Sequence, residues 1–239
     1  MPVPFQISDE PFRAVVIGAS GGIGAALVER LRHDGVAVSG LSRSASGASH
    51  LDLEDEESIA AAAAGFKGGD PVRLVILATG ILHDGEDMPE KAYRQLDPDS
   101  LSKSFRINAI GPALVAKHFL PLLPRKGRAV LAVLSARVGS IADNRLGGWY
   151  GYRASKAALN QLVRTAAIEL ARQKPEALCV SLHPGTVATA LSAPFRSGVA
   201  PEKLFTAEES ADHLLAVLSN LRAADSGGFF AWDGTRIAF

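Results

Sequence analysis

Ala14-Val15-Val16-Ile17-Gly18-Ala19-Ser20-Gly21-Gly22-Ile23-Gly24 is the stretch that decides the fold. Its first four residues form a short, continuous, β-branched run, the pattern of a strand buried on both faces. A glycine-rich turn follows at once and leads into a helical pattern from about Ile23 to His33. A strand feeding a helix N-terminus through glycines is where a doubly wound fold seats a pyrophosphate on backbone amides. Glycine is needed where backbone must approach phosphate oxygens, and again where the helix packs on the strand. The spacing is G-x-x-x-G-x-G rather than G-x-G-x-x-G, so its position after the first buried strand gives it weight. The competing reading is a tight turn without ligand.

The pattern repeats outward from there. Val36 to Leu41, Leu74 to Ala78, Ala129 to Leu134 and Leu178 to Leu182 read as strands. Helical patterns run from Ser100 to Leu123, Tyr152 to Arg172 and Ala207 to Leu221, and Ala60–Ala64 reads as a helix packed by small residues. This alternation specifies an α/β, doubly wound (Rossmann-like) three-layer fold with a central parallel sheet. Nothing marks a boundary, so we expect a single domain over 1–239. Arg125-Lys126-Gly127-Arg128 reads as a solvated turn.

The 239 residues carry 25 basic and 25 acidic side chains, a formal charge of zero. A nucleic-acid or anionic-membrane surface needs a basic excess, so neither is expected as a partner. The one cysteine, Cys179, cannot form an intrachain disulfide and suits a reducing compartment. The start, Met1-Pro2-Val3-Pro4-Phe5, lacks the basic region of a secretory signal. The apolar run Ala113–Leu123 is broken by Lys117 and His118 and falls short of bilayer length. We expect a soluble, cytoplasmic protein without a metal site.

Two further stretches carry chemistry. Strand two ends Leu41-Ser42-Arg43, where an NAD site usually holds a carboxylate for the ribose hydroxyls. Arg43 reads as a guanidinium clamp for a 2′-phosphate with Ser42 donating beside it, which favours NADP(H). The competing reading is a solvated loop arginine. In Gly147-Gly148-Trp149-Tyr150-Gly151-Tyr152-Arg153-Ala154-Ser155-Lys156, Tyr152 and Lys156 stand one helical turn apart on one face. An ammonium beside a phenol should lower the phenol's pKa from about 10. Such a phenol exchanges a proton with a carbonyl oxygen or an alcohol. The bland alternative is a helix-rim tyrosine with a solvated lysine.

Together these stretches resemble the short-chain dehydrogenase/reductase family over nearly the whole chain, and Leu134 to Ser140, the Gly-Gly-Trp-Tyr segment and the ending Phe229-Phe230-Ala231-Trp232-Asp233-Gly234 are most similar to its branch of C-factor and sniffer-type carbonyl reductases. Gly18, Gly22 and Gly24 match the T-G-x-x-x-G-x-G loop, with Ser20 and Ile23 inside it. Asp52-Leu53 matches the pair that in the family contacts adenine. Asn108 matches the helix Asn that holds a water leading to the Lys. Tyr152 and Lys156 match Y-x-x-x-K, the Lys also binding the nicotinamide ribose. Pro184-Gly185-Thr186-Val187-Ala188-Thr189 matches P-G-x-V-x-T, which closes near the nicotinamide.

The resemblance implies reversible hydride transfer between NADP(H) and a carbonyl or secondary alcohol, with Tyr152, Lys156, Asn108 and a serine as catalytic residues. Cofactor contacts are implied at all the motif residues named, including Pro184, Gly185, Val187 and Thr189. Two positions depart from the pattern. The family's N-N-A-G reads Leu77-Ala78-Thr79-Gly80, where Ala78, Thr79 and Gly80 should still floor the cofactor. The catalytic serine's position, three before Gly139, holds Ala136, flanked by Ser135, with Ser140 on the same loop. Adjacent strand residues face opposite ways, so Ser135 needs a bulge to serve; we nevertheless favour it.

Trp149, Tyr150 and Phe195 read either as substrate-side lining or as ordinary packing. His83 and Asp84 read as a solvated loop rather than the site mouth, and His183 as a strand-end histidine. Family members pair through helices matching Ser100–Leu123 and Tyr152–Arg172, so a homodimer or homotetramer is implied. Leu191 to Leu204 reads as the lid over the substrate. The alternative to an enzyme is a cofactor-binding signalling or regulatory protein with incidental turnover.

Overall fold

The computed structural model describes residues 5–84, 88–198 and 200–239. Its strands are β1 (Arg13–Ile17), β2 (Ala37–Leu41), β3 (Val72–Leu77), β4 (Ala129–Leu134), β5 (Ala177–His183), β6 (Thr186–Val187), β7 (Leu204–Phe205) and β8 (Phe229–Ala231). Its α-helices are α1 (Gly22–His33), α2 (Glu56–Ala64), α3 (Pro98–Phe105), α4 (Gly111–Phe119), α5 (Tyr150–Gln173) and α6 (Ala207–Asn220). Six strands form one parallel sheet in the order β2-β1-β3-β4-β5-β8.

The strands are apolar throughout because each alternate residue meets a different helical layer. Ala14, Val16, Leu74, Ile76 and Ala132 pack with Leu27, Leu31, Leu214 and Leu218 of α1 and α6. Val15, Ile17, Val75, Leu77 and Leu131 pack with Ile59, Val115, Phe119, Leu159 and Val163 of α2, α4 and α5. Each fully buried valine, leucine, isoleucine or phenylalanine among them contributes about 1.5–3 kcal/mol. Strand order reverses between β1 and β3, so the loops leaving them part and open a crevice at the strands' C-terminal ends.

Two local features differ from expectation. The helical pattern from Ser100 to Leu123 is not one α-helix: a π turn, Arg106–Ile110, separates α3 from α4. Pro112 has no amide to return to the Asn108 carbonyl, which an α-helix would require four residues on. The Arg125–Arg128 turn is anchored rather than free, since Arg128 donates to the Leu218 and Ser219 carbonyls at the end of α6. The segment read as a lid, Leu191 to Leu204, leaves β6 and runs into β7, and these two short strands pair parallel to each other. Among the described residues no helix is long and apolar enough to cross a membrane.

Candidate active site

Helix α1 starts behind Gly21 with no side-chain cap and no acidic residue in its first turn. Its first amides are therefore unspent and aimed out of the helix end. Gly18 has φ +89°, and a Cβ there would lie 2.6 Å from the Ala78 carbonyl oxygen. A Cβ on Gly24 would lie 2.1 Å from the Gly18 carbonyl oxygen. Only hydrogens fit, and the result is a backbone-lined cradle suited to a pyrophosphate.

The crevice above it has a volume of about 480 Å³ and is walled by Gly18, Ser20, Ser42, Arg43, Asp52, Leu53, Ala78, Thr79 and Gly80. Ser42 is buried with its hydroxyl 3.3 Å from that of Ser44. Arg43 is exposed on this wall, and its guanidinium charge helps hold the Asp84 carboxyl below its ordinary range. Asp52 accepts from the Glu54 amide at 3.0 Å, which turns its carboxylate toward its own loop. Gly22, Ile23 and Gly24 form the helix end behind the wall. Thr189 lies over Gly22, where an added Cβ would be 2.9 Å from its methyl. Pro184 accepts from Ser210 at 3.0 Å, Gly185 (φ +82°) backs onto the Phe205 ring, and Val187 of β6 pairs with Phe205 of β7.

The proposed proton-handling residues meet at the inner end. A Cβ on Gly80 would lie 3.3 Å from both the Asn108 Oδ1 and the Lys156 Nζ. Asn108 is buried; it accepts from the Ile81 amide at 2.9 Å and donates to the Ile81 carbonyl at 2.9 Å and to Ser155 Oγ at 3.1 Å. Ser155 donates in turn to the Tyr152 carbonyl at 3.0 Å. Lys156 donates to the Leu134 carbonyl at 2.8 Å, and its Nζ stands 5.9 Å from the Tyr152 ring centre. The loop after β4 reaches this lysine because Gly139 has no side chain; a Cβ there would lie 2.8 Å from that of Lys156.

The electrostatics correct the sequence expectation. Burial pushes the Tyr152 phenol up to about 12 rather than down, and pulls the Lys156 amine down to about 7. Desolvation penalises both charged forms and outweighs their attraction in the cofactor-free protein.

The serine position is also specific. Ser135 donates its amide to the Leu182 carbonyl at 2.7 Å, extending the β4–β5 ladder in register, and no bulge interrupts that pairing. Its hydroxyl is sealed from solvent with no partner among the described residues. Ala136 is half-buried, and Ser140 accepts from the Asp143 amide at 3.1 Å. On the substrate side Tyr152 packs edge-to-face with Trp149, and Trp149 with Phe195, whereas Tyr150 points outward. His83 is not solvated: both ring nitrogens are buried. His183 ends β5, and burial lowers its pKa to about 4. Glu90 carries no signal in the sequence. Buried, it accepts from the Gly151 amide at 3.2 Å, next to Tyr152, and caps α5 from 61 residues upstream.

A phosphate cradle with a phenol and a buried amine set behind Gly80 at its edge is the equipment of a dinucleotide-dependent oxidoreductase. Residues 13–200 match the short chain dehydrogenase family, and the chain belongs to it. Over 147 residues it is 37% identical to the C-signal of Myxococcus xanthus, covering 61% of this chain and 82% of that one. Over 231 residues it is 30% identical to the 1-hydroxy-2-glutathionyl-2-methyl-3-butene dehydrogenase of Rhodococcus sp. (strain AD45), covering 92% and 96%. The solved NADPH-bound carbonyl reductase from chicken fatty liver superposes with a TM-score of 0.78 at 28% identity, over 96% of this chain and 100% of that one.

Proposed function

We propose that the protein is an NADPH-dependent carbonyl reductase, working reversibly between carbonyls and secondary alcohols as one catalytic domain. The observation that carries this reading is the Lys156 ammonium 5.9 Å from the Tyr152 ring and beside Gly80 at the crevice wall. A bound nicotinamide supplies the hydride. Tyr152 gives its proton to the carbonyl oxygen as charge grows there, and takes one from the alcohol in reverse. Lys156 stabilises that charge and binds the nicotinamide ribose. Asn108 orients Ile81 and passes replacement protons through water at its main-chain carbonyl, which Pro112 leaves without an α-helical partner. Ser135 is the hydroxyl the sequence favours for polarising the carbonyl oxygen; it lies sealed on an unbulged strand, and Ser135→Ala decides whether it takes part.

The backbone cradle and the motif residues around it hold the dinucleotide. The Arg43 guanidinium, exposed at the crevice wall, supports a 2′-phosphate, hence NADP(H) over NAD(H), in line with the NADPH bound to the chicken enzyme. We also propose a cytoplasmic homodimer or homotetramer, joined along α4 and α5, where Ile110, just before α4, and Leu162 and Ile168 of α5 are exposed. The second reading, a signalling or regulatory protein with incidental turnover, is favoured by the likeness to C-signal and by Ala136 at the serine position. Oxidation of NADPH and of NADH, followed with a panel of small aldehydes and ketones, tests the proposal. Turnover faster with NADPH supports it; tight binding with no oxidation across the panel favours the regulatory reading.

A further inference from the structure

Next to the dinucleotide crevice lies a second cavity of about 730 Å³, whose lining includes Ile81, His83, Met88, Glu90, Lys103 and Tyr152. His83 belongs to both. Both of its ring nitrogens are shielded from solvent, and neither has a hydrogen-bond partner among the described residues. No other side chain lining the second cavity holds a buried polar atom in that condition among the described residues. Asp84 is paired with Lys103, Asp97 takes the Asp99 and Ser100 amides, and Glu90 takes the Gly151 amide. An imidazole offers one donor and one acceptor, and native structures rarely leave both unmet without a functional reason.

A line of rings connects this imidazole to the proposed proton donor. His83 meets Phe195 edge-on at 6.0 Å, Phe195 meets Trp149 at 5.0 Å, and Trp149 meets Tyr152 at 6.3 Å between centroids. Trp149 is the one non-glycine residue with positive φ (52°) among the described residues. A bulky residue held in the left-handed region is a strained feature of the kind that clusters at ligand sites. Two glycines at φ 64° and 65°, Gly147 and Gly148, lead the chain into that conformation. Phe195 sits on the short turn Ala193–Gly198 between β6 and β7, so a loop ring rather than the core covers the imidazole.

We propose that His83 is the specificity-determining residue of the substrate cavity. The substrate is a carbonyl compound whose body lies in the second cavity, along the apolar side chains of Ile81, Leu82 and Met88. Remote from its carbonyl it carries a hydroxyl or second carbonyl group, which hydrogen-bonds to His83. The carbonyl to be reduced meets Tyr152, so this inference rests on the reductase reading. A site built to hydrogen-bond a substrate group rejects the analogue that lacks it, because its own polar atom is then left unpaired.

The test is a series of phenyl alkyl ketones of graded chain length, each with and without a terminal hydroxyl, assayed with NADPH. The quantity read is the ratio of kcat/KM for the hydroxylated over the plain member. The wild type should show a ratio of about tenfold or more at one chain length. His83→Phe should bring it close to one, and His83→Gln, which keeps a donor and an acceptor, should restore most of it. Turnover with no hydroxyl preference in the wild type, or with the same preference in His83→Phe, overturns the proposal and leaves the reductase reading standing. No turnover of any member overturns the reductase reading and this proposal with it.

Discussion

The Lys156 ammonium stands 5.9 Å from the centre of the Tyr152 ring and is held there by the Leu134 carbonyl, 2.8 Å from its Nζ. With its pKa at about 12, the phenol keeps its proton throughout the neutral range and stands ready as an acid for reduction. Tyr152→Phe removes one oxygen and leaves the ring against Trp149. Turnover should fall by about 10²–10⁴-fold, with NADPH affinity within a few-fold of wild type. Steady-state rates and a fluorescence titration check both, and a variant retaining most of its turnover removes the assigned role.

Lys156 should also leave a mark on stability. Its amine titrates at about 7 in the folded protein against 10.5 in solvent. Between those values the unfolded chain binds more protons, so stability rises with pH across that window and is lost as pH falls toward 7. Tyr152 acts oppositely from 10.0 to about 12, where the unfolded chain has already released its proton. In the cofactor-free protein, Lys156→Met should flatten the rise in Tm between pH 7 and 10. Parallel profiles for the two proteins would show that the amine titrates as it does in water.

What the sequence reveals depends on how local the cause is. The β1–Gly18–α1 junction and the Tyr152–Lys156 pair are fixed by spacing within a dozen residues, and both stand where the pattern puts them. Strand β8 is only three residues long behind Gly227-Gly228, too short for a periodic signal. The π turn at Asn108 was readable in principle, since a proline four residues on cannot complete the α-helical ladder. The direction of the Tyr152 shift was not, because it comes from burial by distant elements rather than from its neighbour on the helix. His83 and Glu90 belong with it: each becomes a site residue only through contacts that the fold creates.

Glu90 is the second positioning device for Tyr152. Helix α5 runs 24 residues from Tyr150 without a side-chain cap of its own, and the Glu90 carboxylate takes the Gly151 amide instead. A carboxylate is favoured at that end by the helix dipole. Glu90→Ala should cost about 0.5–2 kcal/mol, a few degrees in Tm, and lower kcat by loosening the residue next to the cap. Glu90→Gln keeps an acceptor and should recover most of both. A calorimetric melt with a single-substrate rate decides it, and an unchanged kcat in Glu90→Ala would separate the cap from catalysis.

Ser135 offers the sharpest division between structure and chemistry. Its hydroxyl is buried without a partner among the described residues, which costs the folded state about 1–3 kcal/mol. Ser135→Ala therefore should raise stability whatever the hydroxyl does in catalysis. If that hydroxyl polarises the substrate carbonyl, the same variant should lose about 10²–10³-fold in kcat. Ser140→Ala, which removes only the acceptor for the Asp143 amide, should leave kcat far less affected. A stabilised and fully active Ser135→Ala protein would mean that the charge on the carbonyl oxygen is met by Tyr152 alone, with Ala136 leaving the other side unassisted.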